Sequence, residues 1–333
     1  MSLRHAIVRQ ARHATLVAIV LSTSATAAGK AASSQDHATP GNHTYSLRFG
    51  GRERAYILHV PRAASDGRAL PVVLAFHGGG GEAAGFQGYA GLDAVADREG
   101  FLVVYPYGSG VLPRRLLTWN AGECCGYAMN QRIDDVGFAI AVLDDVAKHA
   151  AVDPRRVYAT GHSNGAMMAY RLGGERADRI AAIVPVSGSY DLEHFAPSRP
   201  VAVLDLHSVD DPRALYNGGI GPPFPGTNVR SSHRSVTESL DRWVRNNGCK
   251  GPPDTVETRV GRAGTPDAGQ TATHLRWKSC AAGGAVEHWK LTKVGHGWPG
   301  STSPQLREAL IGPPTTLVNA AEEIWKFVAT IRR

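Results

Sequence analysis

Apolar residues along the chain fall into short runs, separated by longer segments in which they recur every three or four positions. Residues 71–76 (Pro-Val-Val-Leu-Ala-Phe) are apolar throughout, which is typical of a strand covered on both faces. Residues 45–49 and 54–60 alternate apolar with polar side chains around Gly50-Gly51, which predicts an antiparallel hairpin. The same reasoning predicts later strands at residues 101–105, 157–160, 180–186, 201–206, 271–277 and 286–292.

The segments between these strands have the periodicity of helices. Helices are predicted at residues 89–99, 134–150, 232–246 and 316–331, and a further one directly after residue 163. Strands that alternate with helices predict an α/β fold, with a mostly parallel sheet, helices on both faces and the antiparallel hairpin at its N-terminal end. No repeat or linker divides the chain after residue 45, so residues 45–333 are predicted to form one domain.

The first 27 residues have the composition of a secretory signal peptide. Arg4, Arg9 and Arg12 form a basic segment, an apolar segment follows, and Ala25-Thr26-Ala27 fits a cleavage site. The apolar segment is too short to span a membrane, and an uncleaved anchor is the alternative interpretation. We therefore expect a secreted or periplasmic protein in which residues 28–44 form a flexible lead-in.

Charge and composition limit the classes of partner. The formal net charge is +7, but three of the arginines belong to the predicted signal peptide, and no run of Lys and Arg marks a nucleic-acid interface. No His/Cys cluster has the spacing of a zinc site, so no metal is expected.

Four cysteines in an exported protein predict disulfide bonds. Cys249 and Cys280 stand well apart and bracket a segment that reads as β-structure, so we expect them to pair. Cys124 and Cys125 are adjacent, and across a trans peptide their Cα atoms would lie about 3.8 Å apart, too close for an unstrained disulfide. Three connectivities are therefore possible, and these two cysteines are free, paired together or paired elsewhere.

The sequence Gly161-His162-Ser163-Asn164-Gly165 joins a predicted strand to a predicted helix. This is the G-x-S-x-G nucleophile elbow, in which the serine occupies a strained strand-to-helix turn. The chemistry requires the two glycines because a Cβ would clash where the strand and helix backbones crowd together. Ser163 is therefore the candidate nucleophile.

A serine nucleophile needs a base and an acid that orients the base, in the chain order Ser, acid, His for an α/β-hydrolase. The strand at residues 201–206 leads into Asp210-Asp211-Pro212, and the Asp-Pro pair marks the start of a loop, which favours Asp211 over Asp210. The strand at residues 286–292 leads to His296, which has a glycine on either side. Ser163, Asp211 and His296 are thus the predicted catalytic residues.

An oxyanion hole is the third requirement of acyl transfer. One donor is expected to be the backbone N–H of Asn164, the residue after the nucleophile, and the second should come from the loop after the first parallel strand. That loop begins His77-Gly78-Gly79-Gly80, in which Gly79 is the preferred donor and Gly78 a near equal. A phosphate-binding loop is the competing interpretation, but no Lys-Ser/Thr follows and Glu82 would repel a phosphate.

Taken together, the ordered motifs resemble the polyhydroxybutyrate depolymerase and feruloyl esterase group of secreted serine esterases. The matching blocks are residues 71–81, 119–120, 124–126, 134–138, 153–158, 161–165 and 295–300. The resemblance covers about residues 45–328 and implies an α/β-hydrolase fold, no cofactor and the three catalytic residues named above. Two positions depart from the family, which usually has glycine where this chain has Ala166 and Ser208.

The substrate is expected to be a small-molecule or oligomeric ester. Trp119, Phe224 and Trp298 lie in irregular segments near the motifs and are the candidate substrate-binding residues, with packing as ordinary hydrophobic anchors as the alternative interpretation. Hydroxyalkanoate oligomers or short esters are the first expectation, and feruloyl or acetyl xylan esters are the alternative. A peptidase of the same fold and a non-catalytic binding protein are the competing functions.

Overall fold

The computed structural model describes residues 38–122, 124–189, 195–224, 228–301 and 308–333. The predicted signal peptide lies outside the described residues, as does most of the predicted lead-in. From residue 38 onward the described chain belongs to one compact unit. No helix in these described ranges is long and apolar enough to cross a membrane.

Ten strands of the described chain form one large sheet, and two very short strands form a separate ribbon. The sheet order is β1-β2-β4-β3-β5-β6-β7-β12-β11-β10, and β8 pairs with β9. The strands are β1 (Gly41–Phe49), β2 (Arg52–Val60), β3 (Leu70–Phe76), β4 (Leu102–Pro106), β5 (Val152–His162), β6 (Ala182–Val186), β7 (Ala202–Ser208), β8 (Gly219–Ile220), β9 (Ser232–His233), β10 (Lys250–Val260), β11 (Thr271–Lys278) and β12 (Val286–Thr292).

The centre of the sheet is parallel and both edges are antiparallel. Strands β4, β3, β5, β6, β7 and β12 run parallel, whereas β1 and β2 at one edge and β10 and β11 at the other pair in antiparallel fashion. The carboxyl ends of parallel strands meet at one edge of a sheet, which is where ligands bind in open α/β folds. The loops that follow β3, β5, β7 and β12 therefore converge.

Helices cover both faces of the sheet. They are α1 (Ala83–Ala90), α2 (Leu92–Glu99), α3 (Gly126–Asn130), α4 (Asp135–His149), α5 (Asn164–Glu175), α6 (Val236–Asn246), α7 (Glu308–Ile311) and α8 (Ala320–Val328). Apolar residues of α4, α5 and α6 share one core cluster, and those of α1, α2 and α8 share the other. Strand β3 contributes side chains to both clusters, since Val72 and Leu74 belong to the first cluster and Val73 and Ala75 to the second.

The observed elements differ from the sequence predictions mainly at their ends. Strand β1 begins at Gly41, so the last residues of the predicted lead-in are paired in the sheet. The predicted helix at residues 89–99 is two helices, because Gly91 has φ 66° and ends α1. The helix predicted from residue 232 begins at Val236, where Ser235 accepts a capping hydrogen bond from the backbone N–H of Glu238. Strand β10 was not predicted, because it starts with Gly and Pro residues and is largely exposed.

Candidate active site

Ser163 occupies a sharp turn between the end of β5 and the start of α5. Its backbone has φ 56° and ψ −120°, a conformation that is unfavourable for a residue with a side chain. The flanking glycines permit the turn, because a Cβ on Gly161 would overlap the carbonyl of Gly165 and one on Gly165 would overlap the carbonyl of Phe76. The elbow predicted from the sequence is present, and it places Ser163 at the carboxyl edge of the sheet.

His296 and Asp211 reach the Ser163 hydroxyl from the loops that follow β12 and β7. His296 Nε2 lies 2.8 Å from Ser163 Oγ, and His296 Nδ1–H donates to Asp211 Oδ2 at 2.7 Å. Because a carboxylate only accepts, Nδ1 carries the proton and Nε2 accepts from the serine hydroxyl. The structure therefore brings the three predicted side chains together in one hydrogen-bonded row.

The carboxylate of Asp211 is buried and accepts hydrogen bonds at both oxygens. Oδ1 accepts from the backbone N–H groups of Arg213 and Ala214, at 2.7 and 2.8 Å. Oδ2 accepts from His296 and lies 3.4 Å from Nε2 of the buried His207. Burial alone would raise the pKa of Asp211, but its interactions with the two imidazoles outweigh burial and hold that pKa well below its usual range. Asp211 is consequently ionised at neutral pH.

Asp210, the alternative acid, has a different partner. Its Oδ2 accepts from the backbone N–H of Lys293 at 2.6 Å, and the residue is exposed. It braces the loop that carries His296, whereas Asp211 contacts the imidazole itself.

The loop after β3 brings Gly78 and Gly79 beside the elbow. A Cβ on Gly78 would lie 3.5 Å from the Cβ of Ser163, and one on Gly79 would lie 3.5 Å from the Cβ of Asn164. Among the main-chain hydrogen bonds of the described residues, none uses the N–H of Gly79 or of Asn164. These two groups are available as donors for an anion next to Ser163, and the N–H of Gly78 is likewise unused among these bonds.

The imidazole of His77 fixes the peptide that joins Gly78 to Gly79. Burial lowers the pKa of His77 to about 4, so the ring is neutral near pH 7. Its Nε2 accepts from the backbone N–H of Gly108 at 3.0 Å, so Nδ1 carries the proton and donates to the carbonyl of Gly78 at 2.8 Å. The same carbonyl also accepts from the backbone N–H of Gly81 at 3.0 Å. Because the carbonyl and the N–H of a trans peptide point in opposite directions, these two bonds together set the direction of the Gly79 N–H.

The side chain of Asn164 holds the neighbouring loop in place. Its Oδ1 accepts from the backbone N–H of Trp119 at 2.7 Å, and its Nδ2 donates to the carbonyl of the same residue at 3.1 Å. Trp119 in turn donates its indole N–H to the carbonyl of His77 at 2.9 Å. A continuous chain of hydrogen bonds thus links the residues that carry both candidate oxyanion donors.

Two further histidines, the buried His207 and the half-buried His162, contact the hydrogen-bonded row. His162 donates Nε2–H to the carbonyl of His296 at 2.9 Å, and burial followed by the charge of His296 lowers the pKa of His162 to about 3. Burial would also lower the pKa of His207, but its interactions with Asp211 and Asp205 and the hydrogen bond of its Nε2–H to the carbonyl of Ala214 together outweigh burial and raise that pKa. The sequence reasoning missed these contacts and those of the His77 ring. The available signal was that each of these histidines lies inside or next to a motif.

Trp119 and Trp298 do not line a substrate pocket, and that prediction is wrong. The two residues are 0% and 1% exposed, respectively. Trp298 donates its indole N–H to the carbonyl of Ala90 and packs edge-on against Phe86, and Trp119 has the partners described above. Both residues lie in irregular segments, but burying their large rings in the core stabilises the protein more than leaving them exposed at the surface.

Phe224, the third predicted substrate residue, is half-buried and lies against the oxyanion loop. Its Cζ atom is 2.8 Å from the place where a Cβ on Gly79 would stand. Substrate contact by Phe224 stays a prediction.

The cysteines form two pairs. Cys249 and Cys280 are joined by a disulfide bond that connects the end of α6 to the end of β11. Cys124 and Cys125 are paired with each other across a cis peptide bond.

Comparison with known proteins places the chain in a family. Residues 54–239 match the family described as esterase PHB depolymerase. A putative esterase, NocK, from Nocardia uniformis subsp. tsuyamanensis is 30% identical over 84% of this chain and 80% of its own length. Feruloyl esterase B from Piromyces equi is 28% identical over 60% of this chain. The match covers only 37% of the length of that protein.

A solved structure of pOPH in complex with pNPB has the same fold. It superposes with a TM-score of 0.50 and 14% identity, over 80% of this chain and 83% of that one. The fold is that of the α/β-hydrolases. The chain therefore belongs to the PHB depolymerase family of esterases, and it is a carboxylic ester hydrolase.

Proposed function

We propose that the protein is an exported serine esterase in which Ser163 is the nucleophile, His296 the general base and Asp211 the acid that orients His296. The backbone N–H groups of Gly79 and Asn164 form the oxyanion hole. The observation that carries the proposal is the hydrogen-bonded row from Ser163 Oγ through His296 to Asp211, with distances of 2.8 and 2.7 Å.

The reaction proceeds in two halves. His296 Nε2 takes the hydroxyl proton as Ser163 Oγ attacks the ester carbonyl, and the negative oxygen of the tetrahedral intermediate binds to the two backbone N–H groups. The imidazolium then gives its proton to the departing alcohol. Water attacks the acyl-enzyme with His296 again acting as base, and the carboxylic acid leaves. Asp211 stays ionised throughout and stabilises the imidazolium.

Hydrolysis of p-nitrophenyl butyrate by Ser163→Ala tests this proposal. The variant should lose at least about a thousandfold in kcat, because it lacks the attacking oxygen. Ser46→Ala is the matched control, since it removes an exposed hydroxyl on the edge strand β1 and should keep wild-type activity. Equal rates for wild type and Ser163→Ala would exclude the esterase mechanism and favour a non-catalytic binding protein.

We further propose hydroxyalkanoate oligomers or short-chain esters as the substrates. The family match and the half-buried ring of Phe224 beside the oxyanion loop support this class. Feruloyl or acetyl xylan esters are the alternative, which the similarity to the Piromyces equi feruloyl esterase favours. The ratio of kcat/KM for 3-hydroxybutyrate dimers to that for methyl ferulate separates the two classes.

A further inference from the structure

A two-stranded ribbon lies over the oxyanion loop. We use "the ribbon" for its described residues, 219–224 and 228–233. Gly219 pairs with His233, and further along the ribbon the backbone N–H of Phe224 donates to the carbonyl of Val229 at 2.7 Å. Because the Phe224 ring touches Gly79, this end of the ribbon stands directly beside the candidate anion-binding groups.

Two guanidinium groups are attached to the ribbon. Arg213 donates from Nη2 to the carbonyl of Pro223 at 3.0 Å, and Arg230 donates from Nη1 to the carbonyl of Gly221 at 3.3 Å. The backbone N–H of Arg213 also bonds to Asp211, so this residue connects the acid loop with the ribbon. Both positive charges therefore lie on the ribbon, whose Phe224 ring contacts the oxyanion loop.

Neither charge is neutralised by an acidic side chain of the residues that the structure describes. Among the described residues, no carboxylate forms an ion pair with Arg213 or Arg230, whereas many other arginines have one, for example Arg54 with Asp135. The sequence from residue 212 to residue 235 contains no Asp or Glu. A guanidinium has five N–H donors, so a single bond to a carbonyl leaves most of its donors available for a carboxylate.

The ribbon also carries exposed apolar side chains. Ile220 and Val229 on the ribbon are 69% and 58% exposed. A ligand that matches this surface combines alkyl groups with a negative charge.

We propose that Arg213 and Arg230 bind a free carboxylate on the substrate, so that the enzyme prefers esters with a carboxylate near the scissile bond. A short hydroxy-acid oligomer is such an ester, because its terminal carboxylate is one monomer away from the last ester bond. An alkyl ester of a cinnamic acid lacks this group. The inference rests on the proposed esterase function and narrows its substrate class.

The test compares the 3-hydroxybutyrate dimer with its neutral primary amide, which differs in the charge at that position. Wild-type enzyme should have a kcat/KM roughly tenfold higher for the free acid than for the amide, the size expected for a charge-assisted hydrogen bond. Arg230→Gln and Arg213→Gln should each reduce this ratio, mainly through the KM of the acid. Arg230→Lys should retain most of the ratio because it keeps the charge. Added salt should lower the rate for the acid more than that for the amide.

Arg245→Gln is the matched control. Arg245 is exposed in the last turn of α6. Asn247, two residues later, accepts a hydrogen bond from the backbone N–H of Val201, which precedes β7, whereas Asp211 follows β7 at its other end. This variant should have the wild-type ratio. A ratio near one in the wild type, or a ratio unchanged in both Arg213→Gln and Arg230→Gln, would overturn the proposal. If wild type fails to hydrolyse even p-nitrophenyl butyrate, the esterase function itself is refuted, which is a different outcome.

Discussion

The side chains around Ser163 act largely through the main-chain groups that they hold. His77 is the clearest case, since its ring nitrogens bond to the backbone of Gly78 and Gly108, and the bond to the Gly78 carbonyl helps to direct the N–H of Gly79. Preorganised donors of this kind stabilise the transition state without reorganisation during the reaction. His77 is therefore a positioning residue for the proposed oxyanion hole.

Replacement of His77 should affect kcat more than KM. We expect His77→Ala to lower kcat by about tenfold to a hundredfold, because the peptide that carries the Gly79 N–H then keeps only one of the two hydrogen bonds to its carbonyl, the one from Gly81. His77→Asn should recover part of the loss, since its side-chain amide can donate to Gly78 from a similar place. Steady-state kinetics with p-nitrophenyl butyrate measure the effect. Equal kcat values for His77→Ala and His77→Asn, or a change in KM alone, would contradict this role.

At the scale of elements, the site depends on how closely β5, α5 and β3 approach one another. The contact is between backbones, because Gly165 in α5 lies against the carbonyls of Phe76 and His77 at the end of β3. Among the described residues, the three atoms nearest to a Cβ at this position are all backbone atoms, which cannot move aside as a flexible side chain can. The elbow is therefore sensitive to a single added methyl group.

Gly165→Ala tests this contact. The added Cβ should destabilise the protein by about 3 kcal/mol or more, since two carbonyl groups would have to move. Gly88→Ala is the matched control in α1, where a Cβ meets nothing within 4 Å, and it should be neutral or stabilising by up to about 1 kcal/mol. Urea denaturation measures both, and similar stability of the two variants would count against the close approach.

At the scale of the whole molecule, buried neutral histidines make stability depend on pH. The pKa is about 4 for His77 and about 3 for His162, in both cases chiefly through burial, against about 6.5 in an unfolded chain. Between these values the unfolded chain binds more protons, so stability rises with pH in this window and falls as the pH drops from about 6.5 towards 4. Each histidine can contribute on the order of 3 kcal/mol to this decrease in the free energy of unfolding.

The free energy of unfolding, measured by urea denaturation at pH 7, 6 and 5, should decrease at each step. His77→Asn should flatten the dependence because it removes one of the two groups. Constant stability of the wild type over this range would contradict the neutral state of these two rings in the folded protein.

Much of the fold could be predicted from the sequence because its signals are local. Strand β3 can be recognised from its uninterrupted apolar run, and the elbow from the glycines around Ser163. Asp211 and His296 can be found because each follows a predicted strand. Burial of Trp119 and Trp298 could not be predicted, because it depends on which distant segments cover a loop. The contact of His207 with Asp211 also exists only once β7 and its loop have folded.

The acyl-enzyme mechanism is tested most directly by covalent labelling with a fluorophosphonate ester, followed by peptide mapping. We predict one adduct per chain, located on Ser163, and much slower labelling of His296→Ala because the nucleophile then lacks its base. An active enzyme that takes up no label, or that carries the label on another residue, would contradict the assignment of Ser163 as the nucleophile.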